Sequence, residues 1–200
     1  MHPAPIFRME AAGALADHLR QYPLATITAA PEGVLRVAQA PVLLREVGGG
    51  LVLDFHLSRN NALAAHLVAG FEAVAVSLGP EAYISPDWYA SEDQVPTWNY
   101  VSLEAQGLVS PLDEEALVAL LDDLSAQEEA KLAPKPAWTR AKMSPGRFDA
   151  MTRAIVGARL TVNRLDATFK LSQNKTQADI DGVIFALADH PLALAMQEVR

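Results

Sequence analysis

The chain has 200 residues, half hydrophobic and a fifth charged, with a formal net charge of −8 and a pI near 5.0. That length suits one domain with a sizeable core. With no cysteine, thiolate catalysis, disulfides and cysteine-ligated metals are excluded, and the acidic balance disfavours direct DNA binding, which needs clustered Lys and Arg.

The opening "MHPAPIFRMEAAG" lacks a basic segment followed by an apolar one, so no secretory signal is expected. No apolar run approaches the roughly 20 residues that cross a bilayer, so a cytoplasmic location without a membrane partner is expected. Residues 8–22 read as a helix, with Leu15, Leu19 and Tyr22 on one stripe and Pro23 as its stop. Strand-like runs follow at 24–29, 33–44 and 50–57, separated by Pro31-Glu32-Gly33 and Gly48-Gly49-Gly50. Connections this short predict an antiparallel meander. Residues 58–70 read as a short helix ending at Gly70. Residues 71–79 alternate and are apolar enough to predict a strand buried on both faces.

Residues 79–101 gather Tyr83, Trp88, Tyr89, Trp98 and Tyr100, broken by Pro80, Pro86 and Pro96. The run 97–109 predicts a strand with Val101, Leu103 and Ala105 on one face and Ser102, Glu104 and Gln106 on the other. A helix is expected over 111–132, capped by Asp113, with Leu117, Leu120, Leu121 and Leu124 buried. Ser144-Pro145 predicts the start of a short helix reaching about Ala154. Residues 154–172 read as a hairpin. Thr176 and Asp179 have capping-box spacing before a helix striped by Ile180, Val183, Ile184 and Leu187. The sum is a mainly β, antiparallel domain over 1–200, closed as a small barrel. Peripheral helices include an insert at about 111–153 and C-terminal helices at about 176–200.

No nucleotide-binding loop, nucleophile elbow or zinc-protease motif is present, and the five histidines are scattered, so neither a catalytic set nor a metal site is assigned. Gly48–Gly50 reads better as a hairpin turn than as a phosphate cradle. "HLSRNN" (56–61) lies where a strand gives way to a helical reading, with Ser58, Arg59, Asn60 and Asn61 offering donors to an anion. From local sequence alone, a plain polar cap on a short helix accounts for it slightly better. "KLSQNK" (170–175) repeats the pattern with Lys170, Gln173, Asn174 and Lys175. The aromatic stretch reads either as core or as a wall for a flat ring, with Trp98, Asn99 and Tyr100 at a strand mouth.

The segments "GPEAYISPDWY" (79–89), "VPTWNY" (95–100), "RAIVG" (153–157) and "KLSQNK" (170–175), in that order, resemble the PaiB-type FMN-binding negative transcriptional regulators. "HLSRNN" and "DIDGVIFAL" (179–187) match further segments of that family, and the resemblance covers nearly the whole chain. It implies a split β-barrel of the FMN-binding kind, a homodimer and an FMN cofactor. It places the FMN phosphate on His56, Ser58, Arg59 and Asn61. It lays the strand 36–41, with Gln39, along the flavin ring, and adds Trp98, Asn99, Lys170, Gln173 and Asn174 as site residues. Glu104 departs from the family, standing where a histidine is usual. Three activities follow as expectations: transcriptional repression, indirect or flavin-linked given the charge; a flavin-dependent oxidoreductase as the alternative; and, more remotely, a haem-binding split barrel.

Overall fold

The computed structural model describes residues 2–199. Seven strands form one antiparallel sheet: β1 (Leu24–Ala29), β2 (Arg36–Pro41), β3 (Leu43–Val47), β4 (Gly50–Ser58), β5 (Phe71–Ile84), β6 (Thr97–Pro111) and β7 (Ile155–Lys170). Their order is β2-β1-β5-β6-β7-β4-β3. The helices are α1 (Ala12–Gln21), α2 (Glu114–Ala130), α3 (Arg147–Thr152), α4 (Gln177–Leu187) and α5 (Pro191–Glu198).

The order forces the sheet to curl. β2 and β3 stand at its two ends, yet only Val42 separates them in sequence. Two residues of chain reach at most about 7 Å, so the two ends must meet. Pro41 cannot donate a ladder hydrogen bond, and Val42 is buried with its N–H on the Pro23 carbonyl at 2.9 Å. The expected single strand over 33–44 is therefore broken there. The architecture is the antiparallel split barrel that the sequence predicts, but the connection from β2 to β3 makes it more than a meander.

Two compact units divide the chain. One takes residues up to 18, 78–104 and those from 166 on; the other takes 19–77 and 105–165. The first is centred on Ile84, Tyr89, Val101, Leu171, Val183, Leu192 and Met196. In the second, α2 buries Leu117, Leu120 and Leu124 against Leu43, Leu112, Leu121 and Ile155. Asp113 caps α2 as expected, accepting from the Ala116 N–H at 2.8 Å. Three of the six acids of α2 are matched locally: Asp122 pairs with Arg140, Glu128 with Lys131 and Glu129 with Lys135.

Five expectations need correction. The first helix begins at Ala12, because Arg8 bridges to Thr168 and the Met9 N–H donates to the Ala167 carbonyl, holding residues 8–9 extended. Residues 58–70 form turns with one 3-10 turn at Ala64–His66, not a helix. There the Ser58 and Asn61 side chains take backbone N–H groups that a helix would need. β5 is buried on one face only, through Phe71, Ala73, Ala75 and Ser77, while Val74 and Val76 are half-exposed. The short helix after Ser144 starts at Arg147, with Gly146 left-handed at φ 72° before it. Residues 155–170 are one strand rather than a hairpin, held extended by pairing that runs from Val52↔Thr161 to Ser58↔Ile155. Gly48 and Gly49, at φ 61° and 80°, make the expected tight turn between Val47 and Gly50.

Candidate functional site

The segment 56–61 lies in the second unit, where β4 ends. Asp54, His56 and Ser58 share one face of β4, and their register partners Arg159, Gly157 and Ile155 share it from β7. Asp54 is buried and fully occupied. Arg159 donates to it twice, at 2.7 and 2.8 Å, and Arg45 once at 3.1 Å. Arg45 also donates to Asp123 of α2 at 2.6 Å. These bonds to Asp54 raise the Arg159 pKa above its ordinary value. They pin α2 over this face. A Cβ at position 157 would stand 2.9 Å from the Leu112 Cβ, so glycine lets Leu112 close down there.

His56 lies on the same face. Its Nδ1 is buried with no hydrogen-bond partner, and burial lowers its pKa, so the ring is neutral near pH 7. Arg59 is anchored by its N–H to the Ala154 carbonyl at 2.9 Å and by its Nε to the Arg153 carbonyl at 2.7 Å. Its terminal amino groups have no protein partner among the described residues. Arg59 borders a cavity of about 410 Å³ lined also by Ala64, Leu67, Leu117, Thr152 and Arg153. The Ser58 Oγ accepts from the Asn60 N–H at 3.2 Å, and the Asn61 Oδ1 accepts from the Leu63 N–H at 2.9 Å, so both shape the turn. Gln39, exposed on β2, donates to the Thr26 Oγ1 at 2.9 Å across the β1–β2 pair.

The second sequence-derived group lies in the first unit and is internally bonded. The Lys170 Nζ donates to the Thr97 hydroxyl at 2.5 Å and to the Trp98 carbonyl at 2.6 Å. Burial, then the nearby Lys175 charge, lowers its pKa. The Asn99 Nδ2 donates to the Ser172 hydroxyl at 2.8 Å. Gln173 folds onto its own turn, accepting from the Leu171 N–H and donating to the Phe169 carbonyl. The Lys175 ammonium sits 4.8 Å from the centre of the Tyr89 ring. Trp98 and Asn174 are exposed, and Trp98 meets Tyr83 edge-on with centroids 6.2 Å apart.

The structure thus brings together His56, Ser58, Arg59 and Asn61 in one unit, and Trp98, Asn99, Lys170, Gln173 and Asn174 in the other. Arg153 and Ala154 belong to the segment "RAIVG" that carries the family resemblance, but the sequence assigned them no part in the site. Their place beside Arg59 follows from the Ser58↔Ile155 pairing, which local sequence does not reveal. Of the 56–61 group only Arg59 lines the cavity, whose volume lies within the roughly 300–1,000 Å³ of small-molecule sites; a guanidinium with free donors there fits a phosphorylated cofactor, while His56, Ser58 and Asn61 stand outside the lining. No helix among the described residues is long and apolar enough to cross a membrane.

Over 195 residues the chain is 26% identical to protease synthase and sporulation protein PAI 2 of Bacillus subtilis, covering 96% of this chain and 93% of that protein. Among solved structures it resembles the FAD and heme binding protein from Mycobacterium smegmatis. That match has a TM-score of 0.60 at 18% identity and covers 88% of this chain and 79% of the other. The flavocytochrome Anf3 from Azotobacter vinelandii follows, with a TM-score of 0.56 at 16% identity over 84% and 72% of the two chains. These structural likenesses show the fold. Residues 1–164 match the family described as "Putative FMN-binding domain", and the chain belongs to that family, whose cofactor is FMN.

Proposed function

We propose that this protein is an FMN-binding homodimer that represses transcription through a flavin-linked, indirect route. The observation that carries the cofactor reading is Arg59, which lines a cavity, is fixed through the backbone at residues 153–154 and keeps its terminal amino groups free of protein partners among the described residues. Arg59 grips the phosphate, His56 offers its unmatched Nδ1, and Ser58 and Asn61 hold the turn that presents them. Gln39 borders the ring from β2. In the other unit, Trp98 and Asn174 are the surfaces left open to a ligand, while Asn99, Lys170 and Gln173 hold the loop that presents them. FMN supplies redox chemistry when bound; the chain supplies binding and orientation.

The dimer reading rests on an apolar surface around β1 and β2, where Leu24, Val34, Leu35 and Val37 are each more than half exposed. The regulatory reading rests on full-length similarity to PAI 2. The acidic charge, and an insert in which Lys131, Lys135 and Arg140 are matched by its own acids, favour an indirect route over a DNA-gripping surface.

The test is an FMN titration followed by flavin fluorescence. Saturable binding is expected, weakened by roughly 1.5–3 kcal/mol in Arg59→Ala, the worth of a charge-assisted hydrogen bond. Unsaturable binding by the wild type sinks the cofactor reading. Sedimentation should give twice the chain mass. Steady NAD(P)H oxidation by the FMN-loaded protein would replace the regulatory reading with that of a flavin oxidoreductase.

A further inference from the structure

We propose that Arg153 is the second cation of the Arg59 phosphate site and sets its preference for phosphorylated over unphosphorylated flavin. This rests on the flavin reading above. Arg59 and Arg153 line the same cavity. The Arg153 carbonyl accepts from the Arg59 Nε at 2.7 Å, so the two residues are held side by side. Both are exposed, and among the described residues neither guanidinium is paired with an acid. Two unpaired like charges on one cavity repel each other, and an anion between them relieves that. A phosphate monoester carries about −1.5 to −2 charges near neutral pH and three strong acceptor oxygens, so one arginine leaves it half-neutralised and two match it.

Asp113 and Glu114 also line the cavity and act against an anion. Asp113 is engaged in capping α2; Glu114 is exposed. The opposition predicts that Glu114→Gln tightens phosphate binding. Arg153 follows α3 and closes the exposed segment that begins at Lys131. A phosphate held by both arginines therefore ties that segment to the end of β4.

The experiment measures dissociation constants for FMN and riboflavin at fixed ionic strength for the wild type, Arg59→Ala, Arg153→Ala, Arg153→Lys and Glu114→Gln. In parallel, tryptic cleavage at Lys131, Arg140, Lys142 and Arg147 is followed with and without FMN. The expected result is a wild-type preference for FMN that falls about tenfold in Arg153→Ala, with riboflavin unchanged. Arg153→Lys keeps most of the preference, and FMN slows cleavage in the wild type but not in Arg153→Ala. If Arg153→Ala keeps both the preference and the protection while Arg59→Ala loses FMN, Arg153 has no such role and the flavin reading stands. If the wild type binds neither flavin, the flavin reading fails and this proposal with it; if Arg59→Ala binds FMN as the wild type does, the phosphate is held elsewhere and this proposal fails while the flavin reading stands.

Discussion

The amide of Asn99 donates to the hydroxyl of Ser172 at 2.8 Å, and both residues are buried. One belongs to "TWNY" and the other to "KLSQNK", so the two motifs are parts of one interlock. Lys170 closes it from the other side, on Thr97 and the Trp98 carbonyl. Asn99→Ala would leave a buried hydroxyl without its donor and should cost about 2–3 kcal/mol, read as a lower urea midpoint. Ser172→Gly should cost less, because Ser172 sits at φ 65°, where glycine is unstrained.

Asp54 is a buried acid between Arg159 and Arg45. Asp54→Ala removes the shared anion and leaves both guanidiniums facing each other beneath α2. The expected loss is about 3 kcal/mol or more, the range for breaking a buried pair. Urea unfolding checks it, and a loss below about 1 kcal/mol would show the network to be dispensable.

Asp179 sets the acid limit of the first unit. It accepts from the Ser91 N–H at 2.8 Å, the Ser91 hydroxyl at 2.9 Å and the Thr176 hydroxyl at 2.8 Å. These bonds, the Ser91 N–H foremost, hold its pKa down to about 2 from an ordinary 3.8. Because the folded pKa lies below the unfolded one, its stabilisation is fully present above about pH 4 and is lost as pH falls through 2. Melting temperature should therefore drop over that window, and less steeply in Asp179→Asn. Parallel curves for the two proteins would remove Asp179 as the cause.

Gly182 lies inside α4, where alanine normally gains up to about 1 kcal/mol. Here a Cβ would stand 2.2 Å from the Trp88 carbonyl oxygen, a backbone atom that cannot swing aside. Overpacking of that kind costs about 1–3 kcal/mol. The clash should win, and Gly182→Ala should melt lower by a few degrees.

Much of the fold was legible locally. The strand over 24–29, the tight turn at Gly48-Gly49 and the α2 stripe with its Asp113 cap all follow from alternation, 3.6-residue spacing and capping chemistry within a few residues. Three of the misreadings arise where local pattern gives no signal. Residues 8–9, 58–70 and 155–170 are shaped by bonds to chain distant in sequence or by side chains competing for backbone donors, and neither leaves a local pattern. Of the site, "HLSRNN" announced its donors, but which remained free did not show: Ser58 and Asn61 turn inward to their own backbone, while the Arg59 terminal amino groups stay open.

By itself the sequence determined the chemistry on offer: an acidic, cysteine-free antiparallel barrel with a guanidinium and an imidazole at one strand end and a lysine-bearing turn at another. Hydropathy period and residue type are enough for that, because both act at short range. Tertiary structure alone decided which groups meet. The one-residue link at Val42 joins the sheet's two ends, and the β4–β7 register sets Arg59 against Arg153. It also paired Asn99 with Ser172 and Lys170 with Thr97, so those side chains hold a loop together and leave Trp98 and Asn174 exposed. Hydrogen-bond satisfaction inside a fold depends on spatial neighbours, and those exist only once the chain has closed.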